Sequence, residues 1–288
     1  MAASPGHKFG QMIGNLLEEI VEPVLLKVCN ERGLYLDKKG PRAGIRKGKK
    51  VSWRDTHGNS HDLDFVIERV TRNGRIGRPR AFIEVAWRRY TKHSRNKAQE
   101  IQGAILPIYE KYSKDKPFLG VVLAGDFTKP SLRQMRSLGF TVLHFPYPTV
   151  KAAYRAVGVD AAFDEKTSDA KIKRMIRQVE SLNDQQREKV IRKLKSANRK
   201  RIDVFLRRIK RSLDRKVKKI TVVTLRGDGR SFSSINGAAR YAAEYAQNTR
   251  AGRFLRYDVL AEFTNGDRIQ GEFADKEKAL RFLEYIST

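Results

Sequence analysis

The chain has 288 residues, 40% of them hydrophobic, and a formal net charge of +28 from 60 Lys and Arg against 32 Asp and Glu. That is enough apolar content for a core, in one large domain or two small ones. Charge of this size is extreme for an enzyme of small metabolites and implies a polyanionic partner, most simply nucleic acid; a ribosomal or membrane-surface role fits the bare count as well. The one cysteine, Cys29, excludes a disulfide framework and a cysteine-based zinc site. No run approaches the length of a membrane span, and the first ten residues, MAASPGHKFG, contain no apolar signal region. The expectation is a soluble cytoplasmic protein with no membrane role, nucleoid-associated if bacterial.

Residues 9–30 predict a helix, because Phe9, Ile13, Leu16, Leu17, Ile20, Val24, Leu25 and Val28 recur at helical spacing. Gln11, Asn15, Glu18 and Glu22 fall on its other face, and Cys29 falls on the apolar one as packing. Gly10 and Gly14 allow close packing against a neighbour. Residues 31–50 are rich in Gly, Lys and Arg and read as a flexible basic loop. The loop is not a phosphate-cradling P-loop, since Ala43 stands where the first glycine belongs and Lys50 where Ser or Thr is needed. Its Lys47, Lys49 and Lys50 are candidates for contact with a phosphate backbone. Val51–Arg54 reads as a short strand and 55–59 as a turn.

The stretch from His61 to Ile101 carries the chemistry. An apolar run from Leu63 to Val70 has Asp62 and Asp64 at its start, a turn spans 72–79, and a second apolar run from Ala81 to Trp87 contains Glu84. The pattern predicts a β-hairpin that leads into a basic helix from Ser94. An acid inside a buried strand is costly unless its charge is compensated. Paired strands bring Asp64 and Glu84 within reach of each other, and two close carboxylates repel until a cation relieves them. Oxygen-only ligands favour Mg²⁺ or Mn²⁺ over zinc. Asp62 is expected in solvent, and His61 and His93 at the surface. The five histidines show no zinc spacing.

Beyond this stretch the predicted elements are a helix over 94–114, a buried strand from Phe118 to Ala124, a helix from Ser131 to Leu138, a strand from Phe140 to Phe145 and a helix over 149–157. Trp53 and Trp87 are assigned to core packing.

Asp64-Phe-Val-Ile, a turn, then Ile83-Glu84-Val85-Ala86 resembles the PD-(D/E)xK nuclease superfamily, whose pattern is an Asp at the start of one strand and Glu-x-Lys on the next. The resemblance covers roughly residues 9–160, judged by element order. It implies the restriction-endonuclease-like α/β fold, a mixed sheet flanked by helices, and a Mg²⁺- or Mn²⁺-dependent nuclease. It assigns Asp64 and Glu84 to the metal, with Glu18 on the first helix and Glu100 on the later one as further ligands. The chain departs from the pattern at the family's lysine, which is Ala86 here. Lys97, one or two turns into the next helix, is the first substitute for it and Lys92 the second.

Residues 165–219 change character and predict two or three long helices. Between Lys171 and Lys219 there are 20 Lys and Arg against five acids, Glu180, Asp184, Glu188, Asp203 and Asp214. Arg199-Lys200-Arg201 and Arg207-Arg208 are candidate phosphate contacts. Residues 220–288 read as a small α/β module with a strand from Ile220 to Leu225, a helix from Ser231 to Ala246, two strands paired by Asn265-Gly266 and a last helix from Lys276 to Ile286. The expected division is 1–162, a nuclease-like domain; 163–219, a basic helical segment that binds nucleic acid or links; and 220–288, an accessory domain.

The function these features lead us to expect is a metal-dependent DNA nuclease, a restriction or defence endonuclease by family association, and a homodimer if both strands are cut. Two readings compete with it. One is a nuclease-fold DNA-binding protein that has lost catalysis, which Ala86 favours. The other is an RNA- or ribosome-associated binding protein, which the charge supports equally.

Overall fold

The computed structural model describes residues 4–69, 76–90, 94–224, 229–245, 248–249, 252–254 and 256–287. Half of the turn expected over 72–79, residues 72–75, therefore lies outside the described residues. The chain divides into two compact units, Met1–Lys210 and Arg211–Thr288. Among the described residues no helix is long and apolar enough to cross a membrane.

The first unit opens with helix α1, Pro5–Asn30, which the Ser4 side chain caps by accepting from the His7 amide. Its apolar stripe, Phe9 to Cys29, is buried as the spacing predicts. The next strands are β1 (Tyr35–Lys38), β2 (Val51–Arg54), β3 (Ser60–Leu63), β4 (Phe65–Arg69) and β5 (Arg78–Arg88). Helix α2 (Ser94–Lys111), strand β6 (Phe118–Gly125), α3 (Lys129–Ser137), β7 (Thr141–Pro146) and α4 (Tyr147–Arg155) follow. The central sheet runs β1-β4-β5-β6-β7. Its first two pairings are antiparallel and its last two parallel, so it is a mixed sheet. Helices flank it, which is the α/β architecture the sequence led us to expect. β6 is buried at every position, as a strand covered on both faces must be.

Three local features differ from expectation. The basic loop over 31–50 contains β1, the edge strand of the sheet, and is held rather than free. The Arg42 guanidinium is buried against both Asp37 and Glu68, and lies 4.1 Å over the Tyr35 ring. Arg46 grips Asp37 through two bonds of 2.7 and 2.8 Å. Leu34 and Leu36 among lysines are too short an apolar signal to reveal a strand pinned by the charged side chains of Arg42 and Arg46.

The second difference is that the apolar run beginning at Leu63 breaks at Asp64. β3 pairs with β2 in a separate two-stranded ribbon, and β4 joins the central sheet. The third is that β5 starts at Arg78, before Ala81, and includes Pro79. A register shift between Ile67 and Glu68 accommodates the proline beside β4.

Helices α5 (Asp169–Glu180), α6 (Asp184–Ala197) and α7 (Arg199–Leu213) continue the chain. As far as Lys210 they belong to the first compact unit rather than to a separate segment. Their apolar stripes are the cause: Ile172, Met175, Ile176, Val190, Leu194, Phe205 and Ile209 are buried, and the Phe205 ring meets Phe118 of β6 edge-on at 5.7 Å. A basic face and a packed face share each helix.

The second unit contains β8 (Val217–Thr224), β9 (Gly229–Phe232), α8 (Ile235–Glu244), β10 (Asn248–Thr249), β11 (Gly252–Arg253), β12 (Tyr257–Phe263), β13 (Arg268–Phe273) and α9 (Lys276–Ser287). Its sheet runs β13-β12-β8-β9, and the Asn265-Gly266 turn predicted from sequence joins β12 to β13, with Gly266 at φ +95°. Ser231 and Phe232, expected to open a helix, form β9 instead; Ser234 caps α8.

Candidate active site

The break at Asp64 sets the geometry. Phe65 pairs with Ile83 across β4 and β5, so one further step of the antiparallel register sets Asp64 opposite Glu84. The Val85 amide donates to Asp64 Oδ2 at 2.7 Å and fixes that carboxylate. Glu84 shares its face of β5 with Phe82 and Ala86, which pack beneath Ala98 and Ile101 of α2. Glu84 Oε2 is buried with no hydrogen-bond partner among the described residues.

The charges agree with this closeness. Burial is the first cause that raises the pKa of Asp64, opposed by the Val85 amide, Glu84, Lys97 and Lys39. Glu84 is held well above the usual carboxylate range, first by burial and then by the neighbouring Asp64 charge, with Lys97 opposing. Glu18, on α1, is raised by burial and then by Asp64, with Lys39 opposing. Three acids and two lysines from α1, β1, the β3–β4 break, β5 and α2 therefore feel one another.

Of the three glutamates on α1, Glu19 pairs with Arg187 at 3.1 Å and Glu22 with Lys38. Glu18 is the one that senses Asp64. Lys97 stands beside the pair: its side chain is 15% exposed and its charge favours ionisation of both carboxyls. Ala86, where the family's lysine would stand, is buried under α2, so a cation on that helix is well placed to replace it. Lys92 and His93 lie outside the described residues. Glu100 is not brought to the pair; its carboxylate is bonded to Lys97 and, at 3.4 Å, to Arg88, and it is 60% exposed.

Asp62 is exposed as expected and accepts from Lys50 and Ser52, each at 2.6 Å. His61, expected at the surface, is half-buried because its ring bonds to Asp55 at 2.9 Å. Lys50 is already paired, whereas Lys47 and Lys49 are exposed on the same loop. Arg199, Lys200, Arg201, Arg207 and Arg208 are all exposed on α7. Trp87 packs edge-on against Phe9 and Tyr147, and Trp53 against Phe82 and Tyr112, so both tryptophans serve the core.

Sequence reasoning does not single out Lys39. The only signal for it is its place just past β1, a strand that the residue pattern does not mark. Arg89, Gln11 and Asn96 are also missed; they line a cleft of about 720 Å³ whose wall includes Val85, Ala86 and Lys97.

The donors fit a hard divalent cation. They are oxygens, one of them is buried and unpaired, and like charges are pressed together. Among the described residues no three or more His, Cys, Asp or Glu are placed to hold a metal ion together, so Glu18 and Glu100, expected as further ligands, do not complete a three-carboxylate site with Asp64 and Glu84. Mg²⁺ does not require one, since it is commonly held by one or two carboxylates, water and substrate phosphate.

No protein-family model and no curated protein matches the chain. Among solved structures, the crystal structure of a protein of unknown function, AF1548, is similar at 11% identity and a TM-score of 0.28, over 66% of this chain and 98% of its own. So slight a likeness carries no argument.

Proposed function

We propose that the chain is a divalent-cation-dependent nuclease of the PD-(D/E)xK type that hydrolyses phosphodiester bonds of DNA. The observation that carries this reading is the half-buried, register-aligned pair Asp64 and Glu84 with the Lys97 charge beside it. Asp64 and Glu84 would hold Mg²⁺ or Mn²⁺, with Glu18 facing Asp64 from α1. Bound there, the ion lowers the pKa of a water and offsets charge on the scissile phosphate. Asp64, fixed by the Val85 amide, orients that assembly. Lys97 favours the ionised form of both carboxyls against the burial that raises them, and would supply positive charge where the pentavalent phosphate accumulates negative charge. The exposed cations of α7 and of the 31–50 loop hold the backbone. Cutting both strands would call for two copies, hence a homodimer.

The second reading, a DNA-binding protein without cleavage, draws on Ala86 in the position of the family's lysine. Plasmid DNA incubated with the protein and Mg²⁺, Mn²⁺ or EDTA separates the two. The nuclease reading requires cation-dependent cutting that Asp64→Ala abolishes. DNA binding without cutting under either metal gives the second reading the lead.

A further inference from the structure

We propose that the cleft at the end of β5 is a phosphate-binding subsite, in which the Arg89 guanidinium receives a phosphate group of a nucleic-acid strand. Arg89 carries the argument. Its guanidinium lies 3.8 Å from the Tyr90 ring centre and 4.3 Å from that of Phe163. Its Nε and Nη1 are buried with no hydrogen-bond partner among the described residues. Tyr147, Glu165, Asp164 and Asp169 favour its charge through space, against the burial that opposes it, and among the described residues none of them hydrogen-bonds to it. An arginine does not shed its proton, and a guanidinium whose Nε and Nη1 have no acceptor is completed by an anion brought to it.

The cleft around it suits an anion. Among the described residues that line it none is acidic, whereas Arg88, Arg89, Lys97 and His7 all do. Arg88 and Lys97 are engaged with Glu100, which leaves Arg89, among the described arginines and lysines of the lining, as the cation without a carboxylate partner. The wall contributed by α1 is low: a Cβ at Gly6 would lie 3.6 Å from Arg89 Nη1, and one at Gly10 would lie 3.2 Å from Trp87. The Ser4-capped start of α1 is at the same cleft, and the positive end of its dipole faces an anion there favourably. The cleft also lies at the carboxyl end of β5, whose neighbour β6 is parallel, where α/β sheets receive ligands.

Glu84 and Arg89 are five residues apart, roughly 16 Å along an extended chain, which equals about five nucleotide steps of duplex rise. Val85, Ala86 and Lys97 border both places. The subsite would therefore seat a phosphate on the strand whose scissile bond lies at Asp64 and Glu84. This placement rests on the nuclease reading, but the binding itself does not. The phosphate is either an internal diester or a 5′-terminal monoester, since both present the same oxygens to a guanidinium fork.

The test is fluorescence anisotropy of the full chain in EDTA, titrated against short duplexes bearing 5′-phosphate or 5′-hydroxyl ends, over a range of KCl. Wild type is compared with Arg89→Gln and Gln11→Glu. Gln11 is exposed on the cleft wall, so its variant folds even if loss of the Arg89 packing unfolds the other. Each variant is expected to bind about ten-fold more weakly. The log–log salt slope should fall by about 0.9, the value of the single phosphate that the subsite no longer holds. A wild-type preference for 5′-phosphate that disappears in the variants assigns the terminal group; equal losses on both duplexes assign an internal one. Wild-type affinity and slope in Gln11→Glu on both duplexes would overturn the subsite. Because EDTA removes cleavage from the readout, failure of the nuclease reading leaves this result standing, and the reverse also holds.

Discussion

Replacing Glu84 by Gln should stabilise the metal-free protein, and only above the pH at which glutamates normally ionise. The side chain keeps its shape, loses its charge and gains an amide that can donate to Asp64. Residues directly opposite in an antiparallel pair have Cβ atoms about 5 Å apart. Two full charges at that separation repel by about 3 kcal/mol at an effective dielectric near 20. The unpartnered Glu84 Oε2 adds a desolvation cost of about 1–3 kcal/mol, part of which the wild type avoids by keeping a proton. A net gain of about 1–3 kcal/mol at pH 8 is a fair expectation, or a Tm rise of roughly 2–10 °C for a unit of this size.

The pH dependence follows from the direction of the shift. Glu84 has a folded pKa above its unfolded one, so the folded state binds the proton more tightly. The wild type is unpenalised below the usual glutamate value and loses stability as pH rises from there through the raised pKa. The variant cannot lose what it does not titrate, so its advantage is near zero at pH 4 and grows as pH rises through the raised pKa. Urea unfolding of both proteins in EDTA at pH 4, 6 and 8 measures it. A variant less stable than wild type at pH 8, or equally favoured at all three values, would refute a repulsive buried pair.

Other predictions follow from the same side chains. Lys97→Ala should slow cleavage by about 10²-fold or more, a far larger effect than its loss of duplex affinity in EDTA, read by single-turnover cutting and anisotropy. Glu100→Gln, outside the carboxylate pair, should slow it far less. Arg42→Ala leaves Glu68 buried without its cation, while Asp37 keeps Arg46, and should cost about 3–5 kcal/mol in urea unfolding. The Cys29 thiol is fully buried and its pKa is pushed up to about 12 by burial, so it should resist alkylation in the folded protein at pH 8 and react on unfolding. Arg207→Gln with Arg208→Gln should lower the salt slope of duplex binding by about 1.8, the value of two phosphates.

Much of the architecture is legible in residue pattern. The apolar period of α1, the fully apolar run of β6 and the Asn265-Gly266 turn each correspond to one dominant physical cause, and each element lies close to where that cause puts it. β1 is hidden because its stability comes from Arg42 and Arg46 reaching back to Asp37 and Glu68, pairings at no fixed sequence spacing. The break at Asp64 is hidden for a related reason. Leu63 and Phe65 are both buried, so the apolar run continues through a point where the strand changes partners. The closeness of Asp64 and Glu84 needs only the hairpin and is inferred from it. Glu18 can be chosen over Glu19 and Glu22 only by resemblance, and the structure adds the reason that the other two are paired. Arg89 leaves no mark in the sequence, because what distinguishes it is the absence of a carboxylate bonded to it in space.

The central claim is that Asp64 and Glu84 form one cation site, and isothermal titration of Mn²⁺ or Mg²⁺ into the full chain tests it most directly. Run in two buffers of different ionisation enthalpy, the titration should show one ion per chain bound with proton release, since both carboxyls are held above their ordinary pKa. Asp64→Asn and Glu84→Gln should each abolish that binding. Wild-type affinity and proton release in either variant would contradict the account.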